Sequence, residues 1–394
     1  MKQILIVYSK MIVGGSTTSL LSLLENIDYS RYHVDLLLYD DTGDLQHLIP
    51  SAVQVLEPAK KSRRALLRWG NPSFWAGAIK AKALVKKHGN RLIRAQIMAK
   101  YEARCCRKRV KHYDVGISFL EFWPCEYLIY QVNAEKKIGW IHVDVKEAGL
   151  LPQLSEDSFR KLDTVVLVSQ SCLRNFQQTY PQFAQKAICI ANILSDKTIR
   201  ALAKEPASVH PCPGKLHLVS VCRIVLVHKG LDRGIEAFKR LHREGLLQQL
   251  DWYIIGDGPD RPVLEDMIRR SGLDKHIFLL GQQINPYHIE KSMDVFFLPS
   301  RYEGKPMAVT EAQMLGLVPV VSNYSSAKSQ VSHGVDGVIM ENSDDAPYHT
   351  LKALVEGKFD LDSMKEQVRN KNYSNIEEIE CFYEVIEPAA GLSR

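Results

Sequence analysis

Short runs of apolar, often β-branched residues recur along this chain, and between them apolar positions return every three or four residues. Gln3 to Tyr8, His33 to Tyr39, Asp114 to Phe119, Lys137 to His142, Thr164 to Ser169 and Ala187 to Asn192 read as strands. A second series follows with Leu216 to Val221, Trp252 to Gly256, Ile277 to Gly281, Val295 to Pro299 and Val318 to Val321. Nearly continuous apolarity belongs to strands covered on both faces, and strands alternating with helices predict an α/β fold of doubly wound parallel sheets. Between the two series, Ser195 to Gly214 loses the pattern and collects Pro206, Pro211 and Pro213. The interdomain linker is placed there, which divides the chain into 1–205 and 206–374. A last apolar stripe, Ile376, Ile379 and Phe382, predicts a helix from about Asn375 to Ile386.

Composition changes this picture little. The 394 residues suffice for two cores, and 45% hydrophobic with 24% charged is ordinary for a globular enzyme or binding protein. The opening MKQILIVYSK has a strand-length apolar run rather than the form of a signal peptide, and no window of 18 uninterrupted apolar residues occurs, so a cytoplasmic protein without a spanning helix is expected. Eight cysteines without a CxxC pair point to reduced thiols rather than a disulfide framework or zinc site.

Charge is more informative. The formal net charge is +6, yet Lys60 to Lys111 alone holds 17 Lys and Arg against one acidic residue, Glu102. The remainder is therefore acidic, and the basic charge is local. Few aromatics interleave with it and no RNA or DNA motif is present, which argues against a nucleic-acid partner. An anionic membrane face fits it better, while Ile93, Ile97, Tyr101 and Cys105 form a stripe suited to the first domain's own core.

Candidate chemistry gathers where strands end. Gly14 and Gly15 lie in the loop after the first strand, but a third glycine is absent and the G-x-G-x-x-G dinucleotide fingerprint is not met. His142 stands at the end of another strand with Asp144 two residues on, and its ordinary pKa is close enough to neutrality for it to change charge. Arg223 and Lys229 follow Leu216 to Val221, and two cations there offset the charge of a departing diphosphate as a metal does elsewhere. In Ser300 to Ser322, Pro306 suits the first position of a crossover helix and Gly316 the residue beyond its end. The amides of Met307 and Ala308 then form an anion site at the positive end of that helix, with Glu303 ahead of it and Glu311 a turn below Met307. A carboxylate beside a phosphate holds hydroxyls or cations, so two of them flanking the cradle suit a nucleoside diphosphate sugar, with its ribose diol, two phosphates and hexose.

The spacing of Glu303 and Glu311 is that of the E-x7-E motif of retaining glycosyltransferases, and nearly the whole chain resembles glycosyltransferase family 4. The resemblance implies the GT-B arrangement, two facing Rossmann-like domains with a deep cleft, the donor held by the second and the final helix, to about residue 390, crossing back onto the first. It implies that Glu303 meets the donor sugar, Glu311 the ribose, and the amides of Met307 and Ala308 the sugar and phosphate, with Arg223 and Lys229 on the diphosphate. His142 matches a histidine beside the donor sugar, the Gly14 and Gly15 loop approaches the donor phosphates or the acceptor, and Gln283 lies near the base. Lys305 and Pro306 after Gly304 depart from the family's glycine-rich form and bear on which sugar is taken.

The function so implied is retaining, metal-independent transfer of a hexosyl unit from a nucleotide sugar, with uridine diphosphate the expected carrier, to a glycan or lipid-linked acceptor in cell-surface polysaccharide biosynthesis. No cofactor is expected, and Asp360 and Asp362 form a D-x-D pattern outside the strand-and-loop core. The alternatives are a nucleotide-sugar epimerase or sugar-phosphate transferase on a similar fold, or a basic nucleic-acid binder.

Overall fold

The computed structural model describes residues 1–12, 14–59, 72–90, 92–106, 108–146, 148–204, 206, 209, 211–303 and 305–387. They form two compact units: Met1–Ile193 together with the segment from Asn375, and Leu194–Ser374.

The first unit is a seven-stranded parallel sheet. Its strands are β1 (Lys2–Tyr8), β2 (Tyr32–Leu38), β3 (Gln54–Val55), β4 (His112–Ser118), β5 (Asn133–Ile141), β6 (Thr164–Leu167) and β7 (Ala187–Cys189), in the order β3-β2-β1-β4-β5-β6-β7. Ile4, Leu5, Ile6 and Val7 of β1 are all fully buried, because helices cover both faces of the central strands. The last helix, Glu378–Ile386, belongs to this unit: Phe382 is buried with its ring 6.2 Å from that of Trp140, and Tyr383 stacks on Tyr32 at 5.4 Å. The helix starts three residues later than the sequence pattern suggests, since Asn372 Oδ1 accepts from the Ser374 amide in a turn and Asn375 Nδ2 donates to the Asn192 carbonyl.

The second unit is a six-stranded parallel sheet of β8 (Leu216–Val221), β9 (Leu250–Ile255), β10 (Ile277–Gly281), β11 (Val295–Leu298), β12 (Val318–Ser322) and β13 (Val338–Met340), in the order β10-β9-β8-β11-β12-β13. In both sheets the winding reverses next to the first strand, between β1 and β4 and between β8 and β11. The loops at the carboxyl ends of those pairs diverge there and leave the crevice in which open α/β sheets hold ligands.

The division between units falls earlier than the prolines indicate. Residues 194–204 do not continue the first unit. The helix Asp196–Leu202 buries Ile199 and Leu202 in the second unit, where Asn285 Nδ2 donates to the Leu202 carbonyl at 2.7 Å and Lys291 Nζ to that of Ala203. Of the linker read between Ser195 and Gly214, Glu205, Ala207, Ser208 and His210 lie outside the described residues.

In the basic stretch, Lys60 to Asn71, Arg91 and Arg107 lie outside the described residues. The helices Pro72–His88 and Leu92–Cys105 carry the rest: Ile93 and Ile97 are buried, Tyr101 faces Gly77, and Lys80, Lys82, Lys86 and Lys87 are exposed. Trp75 and Ile79 are exposed on the first of these helices as well. No helix among the described residues is long and apolar enough to cross a membrane.

Candidate active site

The switch point of the second sheet is built by two loops tied to each other. After β8 the chain turns through a short helix, Leu226–Lys229, that ends on Gly230 in the left-handed region at φ 60°. A side chain at Gly230 would place its Cβ 2.1 Å from the Pro299 carbonyl oxygen, so only glycine lets the loop after β8 close onto the end of β11. The loop after β11 is fastened from the other side. The Arg301 amide donates to the His228 carbonyl at 2.8 Å, and its guanidinium donates bidentately to Asp232 at 2.7 and 2.6 Å.

These ties bring Lys229 and Glu303 together. Lys229 Nζ donates to Glu303 Oε1 at 2.7 Å, and Ser300 Oγ donates to the same oxygen at 2.7 Å. Glu303 is only 8% exposed, so its charge is held by a partner rather than by solvent. Arg223 sits just beyond β8, exposed, and makes no ion pair among the described residues.

The crossover helix is Met307–Met314, with Pro306 preceding its first residue rather than occupying it. Pro306 has an extended ψ of 118°, and its carbonyl accepts from Gln330 Nε2 at 3.0 Å, which holds the entry to the helix. Met307 and Ala308 fall in the first turn, where amides lack intrahelical acceptors. Gly316 lies two residues past the end at φ 88°. Glu311, on this helix, is also 8% exposed, and burial pushes its carboxyl up to about 7 against the opposing hydrogen bond from Tyr287. Lys305 is exposed, and Gly304 lies outside the described residues. Gln283 is in the loop after β10, where its side-chain amide donates to the Leu280 carbonyl at 2.6 Å and so is engaged within its own loop.

In the first unit, Gly14 caps and Gly15 begins the helix Gly15–Asn26, directly after β1. A Cβ at Gly14 would meet nothing within 4 Å, and its φ of 165° is open to any residue, so no contact among the described residues requires a glycine there. His142 follows β5. Its amide donates to Glu121 Oε2 at 3.0 Å, and its ring donates to the Phe119 backbone, leaving Nε2 buried without a partner. Burial lowers its pKa to about 4, so His142 is neutral at physiological pH, contrary to the expectation that it changes charge there. Asp144 serves the loop, accepting from the Lys146 amide and from Asn175 Nδ2.

Sequence reasoning did not bring out Glu121, whose carboxyl burial pushes up, nor Arg301 with Asp232, nor the buried Glu290. Each depends on contacts between segments distant in sequence or on burial. Asp360 of the D-x-D pattern caps the helix Leu361–Asn370 by accepting from the Ser363 amide at 3.0 Å, and no metal-ligating cluster of three or more groups occurs among the described residues.

Comparison with known proteins meets this geometry. Residues 207–371, which span the switch point of the second sheet, match the family model described as glycosyl transferases group 1. The UDP-Gal:alpha-D-GlcNAc-diphosphoundecaprenol alpha-1,3-galactosyltransferase of Escherichia coli is 34% identical over 138 residues, 34% of this chain and 35% of that protein. The uncharacterized glycosyltransferase MJ1059 of Methanocaldococcus jannaschii is 25% identical over 221 residues, 54% of this chain and 53% of that one. The chain thus matches about a third to a half of the length of these relatives. Among solved structures, Anabaena HepE in complex with UDP-glucose superposes with a TM-score of 0.66 at 14% identity, covering 98% of this chain and 99% of its own. The apo lipopolysaccharide outer core galactosyltransferase WaaB gives 0.56 at 15%, with 98% and 99% covered. The fold is therefore the GT-B fold of these proteins, and residues 207–371 are a glycosyl transferases group 1 domain.

Proposed function

We propose that the chain is a metal-independent retaining glycosyltransferase of family 4 that moves a hexosyl unit from a uridine diphosphate sugar to a hydroxyl of a glycan or lipid-linked acceptor. The observation that carries the reading is the pair of buried carboxylates, Glu303 and Glu311, on either side of the first turn of Met307–Met314, within a domain that matches a glycosyltransferase family. Two buried acids beside a helix N-terminus suit hydroxyls on both sides of a phosphate group.

In this reading Glu311 accepts from the ribose diol and Glu303 from the donor sugar. The amides of Met307 and Ala308 hold sugar and phosphate, with Gln283 near the base and Lys305 beside the sugar. Arg223 and Lys229 take up the charge of the departing diphosphate, so no metal is needed for that step. His142 accepts a sugar hydroxyl at Nε2, the buried nitrogen that the protein leaves unmatched, and the Gly14 and Gly15 loop lets phosphate or acceptor approach backbone closely. The Escherichia coli relative's name supports a uridine diphosphate donor and a lipid-linked acceptor, and several relatives are named for surface polysaccharides, colanic acid and amylovoran among them. Exposed Lys80, Lys82, Lys86 and Lys87 would hold the enzyme at the anionic inner membrane face where such acceptors lie.

The test is thermal stabilisation against a panel of nucleotide sugars, followed by uridine diphosphate release on adding acceptor. Saturable stabilisation by a uridine diphosphate sugar with acceptor-dependent release is expected. Stabilisation by oligonucleotide but not by nucleotide sugar, or turnover of the sugar without nucleotide release, refutes the reading.

A further inference from the structure

The segment after β12 grips the entry to the crossover helix Met307–Met314 at both ends. Ser325 Oγ donates to the Glu303 carbonyl at 3.3 Å, and Gln330, the last residue of the short helix Ala327–Gln330, holds Pro306. Gln330 is 6% exposed, and both ends of its side-chain amide are engaged. Nε2 donates to the Pro306 carbonyl at 3.0 Å and to Thr310 Oγ1 at 3.1 Å, while Oε1 accepts from the Tyr324 hydroxyl at 3.2 Å. A carbonyl can only accept, so the contact with Pro306 fixes which end of the amide is nitrogen. The backbone completes the clasp, since the Gln330 carbonyl accepts from Gln313 Nε2 at 2.9 Å. Pro306, Thr310 and Gln313 recur every three or four residues and so share one face of the helix, and Gln330 bonds all three.

This clasp fixes the direction of an amide. Pro306 precedes the helix at φ −67° and ψ 118°, and it has no side-chain oxygen with which to cap the first turn. Its ring holds φ, so ψ is the soft torsion. Turning ψ swings the Pro306 carbonyl and the Met307 N–H together, because both belong to one planar peptide unit. That unit is trans, so its N–H points away from its C=O. A donor fastened to the carbonyl therefore aims the Met307 N–H to the opposite side, and by polarising the unit it strengthens that N–H as a donor. We propose that Gln330 is a positioning residue, which by bonding the Pro306 carbonyl aims the Met307 amide at the diphosphate of the nucleotide sugar. The diphosphate as target rests on the function proposed above.

The experiment titrates UDP and uridine into the full chain and its Gln330→Leu and Gln330→Glu variants by calorimetry, from mildly acidic to mildly alkaline pH. Gln330→Leu, which cannot donate, should bind UDP about tenfold more weakly than the wild type, the effect of one hydrogen bond to a charged group, and bind uridine as the wild type does. Gln330→Glu keeps the shape but donates only while protonated. Its UDP affinity should match the wild type in acid and fall about tenfold below it as pH rises through the new carboxyl's titration, which burial moves upward. Glu311 titrates in every chain, so the ratio to the wild type at each pH isolates residue 330. The uncharged leucine separates lost donation from repulsion of phosphate. A Gln330→Leu chain that binds UDP as tightly as the wild type, or loses uridine equally with UDP, overturns the positioning role, as does a Gln330→Glu ratio constant with pH. If thermal unfolding shows that Gln330→Leu does not fold, the Gln330→Glu profile decides alone. A wild type that binds no UDP refutes the functional reading and this proposal with it, whereas wild-type binding that the variants leave unchanged overturns the positioning role alone.

Discussion

The tie between Lys229 and Glu303 makes an unusual demand on a Glu303→Gln variant, which should bind UDP more tightly while losing transfer. In the free chain the Lys229 ammonium is bonded at 2.7 Å to a carboxylate that is 8% exposed. A diphosphate that reaches Lys229 has to compete with that carboxylate and also approach its negative charge. Glutamine keeps the shape and still accepts from Ser300 Oγ through its carbonyl, but releases the ammonium. A charge-assisted hydrogen bond contributes about 1.5–3 kcal/mol, and because the Lys229 side chain is 22% exposed the lower end applies. The gain in UDP affinity is then about tenfold. Transfer should fall about a hundredfold or more, the scale of one lost contact to developing charge, because the sugar loses its charged acceptor. Titration calorimetry with UDP, paired with a coupled assay for UDP release from the UDP sugar, measures both. A weaker or unchanged UDP affinity removes Lys229 from the phosphate site, and undiminished turnover removes Glu303 from the sugar site.

Glu311→Ala should weaken UDP binding by roughly ten- to a hundredfold with the fold intact, as read by calorimetry and thermal unfolding; an unchanged dissociation constant excludes it from the ribose site. Transfer should survive exhaustive chelation, while Arg223→Ala lowers turnover by roughly tenfold or more; activity lost to chelator and restored by magnesium or manganese contradicts the cationic leaving-group site. In liposome sedimentation the wild type should bind anionic but not neutral vesicles and release at high salt, since each basic residue near the surface contributes about 1 kcal/mol. The chain with Lys80, Lys82, Lys86 and Lys87 changed to Glu should stay in the supernatant, and equal binding by both chains sinks the membrane assignment.

The strands that sequence makes plain are those with mainly apolar runs: Leu216–Val221, which also buries His217 and Ser220, and the edge strand Ile277–Gly281 have the predicted bounds, and the wholly buried Val295–Leu298 ends one residue before its predicted end. Gln54–Val55 escapes such a reading, being two exposed residues at the sheet's edge, and Val338–Met340 is too short to carry a period. The prolines between Ser195 and Gly214 mark irregular backbone correctly but say nothing about which core receives Ile199 and Leu202, so the boundary moved. At the site, Glu303, Glu311 and the helix between them were legible because spacing along one helix and its entry loop is local. The Lys229 tie was not, since its partners are 74 residues apart and meet only because Gly230 admits the Pro299 carbonyl. Glu290, in the run HIEKSMD, has the look of a solvated residue among polar neighbours, and only its burial reveals otherwise.

The first unit is discontinuous along the chain, closed by a helix that lies beyond the whole of the second. A ribosome therefore finishes the second unit before the first can be completed. Until Phe382 emerges, the face of Trp140 that it covers and the ring of Tyr32 that Tyr383 stacks on lack their partners, and an unfinished first unit exposes apolar surface for as long as about 180 further residues take to be made, some ten to forty seconds at about 5–20 residues per second. The nascent chain is thus open to chaperone capture over that interval. Truncation before Glu378 should leave an aggregation-prone first unit beside an intact second, which makes the last helix the step that commits the protein to its final state.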